Sequence, residues 1–132
     1  MISTKGRYAL RVMLDLAEHD NGSFIPLKDI AERQEISKKY LEIIVKEMVA
    51  GGLVVGASGK GGGYKLLRKP NKYSVGEILE LMEGPLNSVA CLNDKKYNCP
   101  RSKSCQTLPM WQEYDKMVHD FFYNKKLSDL IE

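Results

Sequence analysis

The stretch FIPLKDIAERQEISKKYLEIIVKEMVAGGLV, Phe24 to Val54, holds two helical patterns on either side of one break. Pro26 suits the first turn of a helix, where its missing N–H would have no intrahelical partner. Leu27, Ile30 and Ala31 then fall on one face of a short helix. Ile36 sits in the break. Ser37 can cap a second, longer helix with Leu41, Ile44, Val45 and Met48 on its inner face, and Gly51 and Gly52 stop it. Two helices joined by a tight turn, the longer one second, match a helix-turn-helix. That motif needs a small residue where the helices cross, and Ala31 supplies it. It needs apolar residues in the turn and on the second helix, and Ile36, Leu41 and Ile44 supply those. The turn often carries a glycine at positive φ. Here the position is Glu35, at a cost of about 1 kcal/mol if the left-handed conformation is adopted.

Downstream, GLVVGASGKGGGYKLLRK reads as strand, turn, strand, with Leu53–Val55 and Tyr64–Leu67 as the arms. A two-stranded ribbon directly after a helix-turn-helix makes a winged helix. Upstream, Ser3 or Thr4 can cap a helix that places Ala9, Leu10, Met13, Leu14, Leu16 and Ala17 inward, ended by Asp20-Asn21-Gly22. Beyond the ribbon, Ser74 and Glu77 form a capping box for a helix with Val75, Ile78, Leu79 and Met82 inside and Gly84-Pro85 at its end. Residues 91–105 are polar and aperiodic, hence a loop. Pro109 then opens a long helix. Leu108, Trp111, Tyr114, Val118, Phe121 and Phe122 form a broad apolar stripe on it, and Ser128 caps a last turn packing Leu130 and Ile131. The expected fold is mainly α: a winged helix-turn-helix of three-helix core and two-stranded β wing, followed by a long C-terminal helix. The expected organisation is a winged-helix unit at 1–73, a connecting helix and cysteine loop at 74–106, and a final helix and tail at 107–132.

The 132 residues, 43% hydrophobic and 28% charged, fit one compact domain. No apolar run approaches the roughly 20 residues of a membrane span. MISTKGRYAL lacks the apolar core and cleavage site of a signal peptide, so a cytoplasmic protein is expected. The net charge of +3 is unevenly placed, since residues 36–73 carry 8 basic and 2 acidic side chains. A basic block in a near-neutral chain is an electrostatic footprint for nucleic acid, or equally a lysine-rich solvated surface.

The glycine-rich segment Gly56–Gly63 is not a nucleotide loop. Lys60 is followed by Gly61, so no hydroxyl is placed to hold magnesium. No helix follows the glycines, which excludes a dinucleotide fingerprint. A tight hairpin remains, with Lys60, Lys65, Arg68 and Lys69 around it. Its glycines let backbone N–H groups approach a phosphodiester, and its lysines add charge. Ser37, Lys38 and Lys39 begin the second helix of the motif, where base edges and phosphates are met, with Tyr40 and Glu42 in the next turn and Lys46 further along. A winged helix used for protein interaction would show the same surface.

The three cysteines, Cys91, Cys99 and Cys105, fall within 15 residues. An odd number in such a chain argues against a disulfide framework. Gaps of seven and five residues are wider than the C-x-x-C clip of most zinc sites. They leave room for an iron–sulfur cluster held by thiolates. Lys95, Lys96, Arg101 and Lys103 favour the thiolate form. His19 and His119 are not placed like ligands. No nucleophile–base pair and no acid pair is present, so neither an enzyme nor a small-molecule substrate is expected.

STKGRYALRVMLDLA, IPLKDIAERQEISKKYLE, GLV, GKGGGYKL and SVGEILELMEG together resemble the bacterial IscR/NsrR/CymR-type winged-helix regulators, from Met1 to about Glu132. The resemblance implies a homodimer built on the long C-terminal helix, through Trp111, Tyr114, Val118, Phe121 and Phe122. It implies a palindromic DNA operator, contacted by Ser37, Lys38, Lys39, Tyr40 and Glu42 and, at the wing, by Ser58, Lys60, Gly61, Gly62 and Lys65. It also implies an iron–sulfur cluster, 2Fe–2S or 4Fe–4S, on Cys91, Cys99 and Cys105. Three features depart from the family pattern: the fourth-ligand position, the wing arginine, and the gap from Cys91 to Cys99, which is longer than in IscR-like members. Leu108 stands where IscR-like members have a ligating histidine, and Arg7 where some NsrR-like members have an acidic ligand. Ser58 stands where a wing arginine is expected. The base-reading positions fall on Lys39, Glu42 and Ile43, and an isoleucine cannot hydrogen-bond a base. The alternative within this resemblance is a cluster-free, thiol- or partner-controlled repressor of the CymR type.

Overall fold

The computed structural model describes residues 2–88 and 104–131. Ser3 closes the first turn of α1 (Thr4–Glu18): its Oγ accepts the Gly6 N–H at 3.3 Å. Ala9, Val12, Met13 and Leu16 recur at helical spacing and are completely enclosed, with Leu10, Leu14 and Ala17 half-buried at the margins. This face meets α2 (Leu27–Gln34) and α3 (Lys38–Ala50), which contribute Ile30, Leu41, Ile44, Val45 and Met48, all with no exposure. Full burial of each such side chain is worth about 1.5–3 kcal/mol, so this cluster fixes the helix triad. Between α2 and α3 the backbone turns at Glu35, φ 55° and ψ 45°. It is the one non-glycine residue at positive φ among the described residues, at the position the sequence marks for it. The Ser37 Oγ then caps α3 by accepting the Tyr40 N–H at 3.0 Å.

The wing is an antiparallel pair, β1 (Val54–Ala57) and β2 (Gly63–Leu66), in the register Val54↔Leu66 to Ala57↔Gly63. Ile25 pairs beside it, donating its N–H to Tyr64 O at 2.8 Å and accepting the Tyr64 N–H at 2.9 Å. The segment entering α2 is thereby stitched to the wing. Gly63 is required for this approach. It has φ 144°, and a Cβ there would collide with the Ile25 carbonyl.

A short 3-10 turn, Pro70–Lys72, delivers Tyr73 into the core with 0% exposure. Its hydroxyl donates to Leu53 O at 2.7 Å and accepts the N–H groups of Leu67 at 2.9 Å and Arg68 at 3.0 Å. One phenol oxygen thus ties both ends of the wing to the helix triad.

In α4 (Val75–Glu83) the expected capping box is complete: the Glu77 N–H donates to Ser74 Oγ at 3.1 Å, and the Ser74 N–H to Glu77 Oε2 at 3.0 Å. Burial alone would raise the Glu77 pKa. Hydrogen bonds from Arg68 and Ser74 outweigh it and hold the carboxyl below its ordinary value of 4.5. A carboxylate depressed in the fold stabilises it above the unfolded pKa and loses that contribution as pH falls through the folded one. Stability should therefore decline below about pH 4.5 in part through Glu77. The pair is partly solvated, so the effect is under about 1 kcal/mol. Urea titrations at pH 7 and pH 3.5 should show a smaller pH effect in Glu77→Gln than in the parent.

The last helix, α5 (Leu108–Asn124), lies on α4. The Tyr123 ring occupies the space a side chain at Gly76 would need. Its hydroxyl donates to Glu80 Oε2 at 2.5 Å. Burial, then this bond, push the phenol pKa up to about 12. After α5 the chain returns to the wing base. Val75 N–H donates to Lys125 O at 2.8 Å, and Leu127 N–H to Tyr73 O at 3.0 Å. The terminal turn differs from the sequence expectation. A 3-10 turn, Leu127–Leu130, buries Leu127 completely and leaves Leu130 at 40% exposure. It starts with the Lys126 N–H donating to Asp129 Oδ2 at 2.8 Å, so Ser128 is not its cap. The backbone pairing at Tyr73 brings Leu127 over the core, which residue spacing does not reveal.

Candidate nucleic-acid interface

The outer face of α3 follows from its inner one. With Leu41, Ile44, Val45 and Met48 in the core, Lys38, Lys39, Glu42, Ile43 and Lys46 are left exposed. The N-terminal end of a helix also favours an anion. Ser37, Lys38, Lys39 and Glu42 are all exposed at this end of α3. Tyr40 stands apart. It is half-buried, its ring edge-on to Tyr8 with centroids 5.7 Å apart. Lys5 Nζ meets Glu47 Oε1 at 2.6 Å, a second tie between α1 and α3.

At the wing tip Ser58, Gly59, Lys60 and Gly61 are exposed and Gly62 is half-buried. Gly59 and Gly61 have φ 82° and 79°, and Gly62 N–H donates to Gly59 O at 3.0 Å. Lys65 is half-buried, with Nζ 4.7 Å from the centroid of the Phe24 ring. Arg68 has a structural task. It lies 4.2 Å over the Tyr73 ring and donates to Glu77 Oε1 at 2.6 Å. The Glu77 hydrogen bond raises its pKa, so it stays charged. Of the four cations read around the hairpin, Lys60 and Lys69 are the exposed ones with no ion pair among the described residues.

A buried network behind this face escaped the sequence reading. Asp15 has 0% exposure in the apolar stripe of α1. It accepts from Arg33 Nε at 3.0 Å, an Arg33 terminal nitrogen at 2.7 Å and Gln34 Nε2 at 2.9 Å. The hydrogen bond with Asp15 raises the Arg33 pKa, keeping the guanidinium charged. Arg11 adds bonds to the Gln34 side chain, at 3.1 Å, and to its carbonyl. The network clamps α2 to α1 and so sets the base on which α3 stands. An acidic residue among Val12, Met13 and Leu16 was the available signal.

Cys105 is half-buried, its Sγ 3.4 Å from Thr107 Oγ1, just before α5. Cys91 and Cys99 lie outside the described residues. Leu108 opens α5 and offers no donor. On α5 itself, Met110, Tyr114, Met117 and Phe121 are each more than half exposed. Trp111, Val118 and Phe122 join Tyr114, Ile2 and Leu86 around a groove of about 770 Å³. The stripe read from the sequence is present, and Met110 and Met117 widen it. No helix among the described residues is long and apolar enough to cross a membrane.

Comparison with known proteins agrees with this geometry. Residues 2–132 match the model of the Rrf2 family, described as an iron-dependent transcriptional regulator. The HTH-type transcriptional regulator IscR of Pectobacterium atrosepticum is 34% identical over 130 residues, covering 98% of this chain and 78% of that protein. CymR, the global cysteine regulator of B. subtilis, superposes with a TM-score of 0.78 at 32% identity, over 98% of this chain and 95% of that one. IscR of T. potens does so with a TM-score of 0.74 at 33% identity, over 98% and 85%. These relatives are winged-helix regulators, as the helix pair and ribbon led us to expect, and theirs is a non-enzymatic role.

Proposed function

The chain belongs to the Rrf2 family of transcriptional regulators, and from that premise we propose that it acts as a homodimeric repressor on a palindromic DNA operator. The observation that carries this reading is the exposed, lysine-bearing face of α3 followed in the chain by a glycine-tipped hairpin. α3 enters the major groove, with Ser37, Lys38, Lys39 and Glu42 toward phosphates and base edges. Ser58, Lys60, Gly61 and Gly62 follow the phosphate backbone, and Lys65 supports them from its place over Phe24. The exposed stripe Met110, Tyr114, Met117 and Phe121, continued by Trp111, Val118 and Phe122, is a contiguous apolar surface on one helix. Such a surface supports pairing with a second copy. Two-fold symmetry would set the two α3 helices about one DNA turn apart, roughly 34 Å. Binding to duplex from the chain's own promoter region should weaken steeply with salt. Lys60→Ala should weaken it about equally across sequences and lower the salt slope by about 1 per protomer. Salt-independent binding, or no shift at all, would overturn the reading and favour a protein-interaction role.

The loop supports a further layer. Cys91, Cys99 and Cys105 are soft thiolate donors suited to an iron–sulfur cluster, which would supply a redox-sensitive cross-link within the loop. Cys105 stands two residues from Thr107, the cap position of α5, so an ordered loop would bear directly on the helix that pairs the protomers. The same donor set counts only three, because Leu108 contributes none. That observation favours the second reading, a regulator controlled through its thiols without a cluster. Anaerobic iron and sulfide content separates the two. Bound iron and sulfide lost on Cys→Ala at all three positions supports the first, and protein free of both supports the second.

A further inference from the structure

On α3 the residues farthest from the core form one ridge, Lys39, Ile43, Lys46 and Ala50, spaced i, i+4, i+7 and i+11. They point away from Leu41, Ile44, Val45 and Met48, and all four are exposed. Ile43 is the anomaly, at 54% exposure in the middle of the ridge with a lysine on either side. It is not needed for packing, since the α3 core is complete without it. An isoleucine has no donor or acceptor. Pressed against the edge of guanine, cytosine or adenine, it would strip water from polar atoms and return no hydrogen bond. Thymine alone among the unmodified bases presents a C5-methyl in the major groove. The flanking Lys39 and Lys46 suit phosphate or guanine and would fix the register on both sides.

We propose that Ile43 reads the 5-methyl group of a pyrimidine in each operator half-site, making it a specificity-determining residue of α3. The inference rests on the DNA-binding reading above. Five-methylcytosine carries the same methyl, so the contact chemistry is shared by thymine and methylated cytosine.

The test uses the full chain and a duplex selected from a random pool. Thymines are replaced by deoxyuridine, one symmetric pair at a time. Burying one methyl is worth about fourfold in affinity, so one pair should lose about fourfold per half-site and on the order of tenfold together. Ile43→Ala should bind the uracil duplex as the parent does and be indifferent to that methyl. Alanine at an exposed helical site raises helix propensity, so the variant should fold. At the same position, 5-methylcytosine should bind about fourfold better than cytosine. A parent indifferent to every thymine methyl, an Ile43→Ala variant that keeps the sensitivity, or no gain from 5-methylcytosine would each overturn the proposal. A pool that yields no retained duplex would overturn the DNA-binding reading itself, and this inference with it.

Discussion

Arg33→Met should cost the fold about 3–5 kcal/mol, read as a drop in the urea midpoint with little change in slope. The Asp15 carboxylate has no exposure and accepts three hydrogen bonds, two of them from Arg33. Methionine keeps the apolar stem and removes only the guanidinium. What remains is a buried carboxylate with one hydrogen bond, from Gln34, and the His19 ring nitrogen 3.8 Å away, and the loss of one partner of a buried pair is far costlier than the loss of both. Because Arg33 is itself 34% exposed, its removal admits some water, which places the cost toward the lower end. The double variant Asp15→Leu with Arg33→Met should recover most of it, since no charge is left to desolvate. A single variant within about 1 kcal/mol of the parent, or a double variant less stable than the single, would show that the network does not clamp α2 to α1.

Tyr73→Phe is the second large effect, at about 2–3 kcal/mol. It removes one oxygen and strands three groups: the Leu53 carbonyl and the N–H groups of Leu67 and Arg68. Leu53 is only 3% exposed, so its carbonyl has little access to water. Leu67 and Arg68 are exposed residues whose N–H groups can be rehydrated, which keeps the sum below three full penalties. The phenyl ring still fills the core, so the fold survives and the change concentrates at the wing. Amide exchange at Leu67 and Arg68 should accelerate well beyond that of the α1 and α3 core. DNA affinity should fall several-fold through the wing, although Tyr73 is fully buried and touches nothing outside the protein. Exchange at those two amides unchanged from the parent would refute the role given to the hydroxyl.

Lys125 and Leu127 extend the significance of that tyrosine. Their backbones pair with Val75 and Tyr73, so the end of α5 and the base of the wing share one short segment. Two backbone hydrogen bonds therefore join the segment after the proposed pairing helix to the base of the proposed DNA clamp.

What the sequence by itself determined are the features written in short-range patterns. The inner faces of α1, α2 and α3 follow from residues three and four apart. The Ser3, Ser37 and Ser74 caps each close within three residues. Glu35 was legible as the candidate left-handed turn because it falls where a helix-turn-helix often carries a glycine, and it adopts φ 55° there. The glycine-rich hairpin was legible as a wing from its place after the helix pair. What only the tertiary structure decided are the pairings between distant residues. Asp15 reads as one more polar residue of α1 until Arg33, 18 positions away, is brought beside it. Tyr73 reads as a linker residue until the fold sets Leu53, 20 positions away, against its hydroxyl. Arg68 reads as one more cation beside the hairpin until Glu77, nine positions away, is brought against it. Local patterns encode which face of a helix is buried, because backbone geometry fixes the spacing of its side chains. They do not encode which polar group meets which across the core, because that depends on how the elements pack.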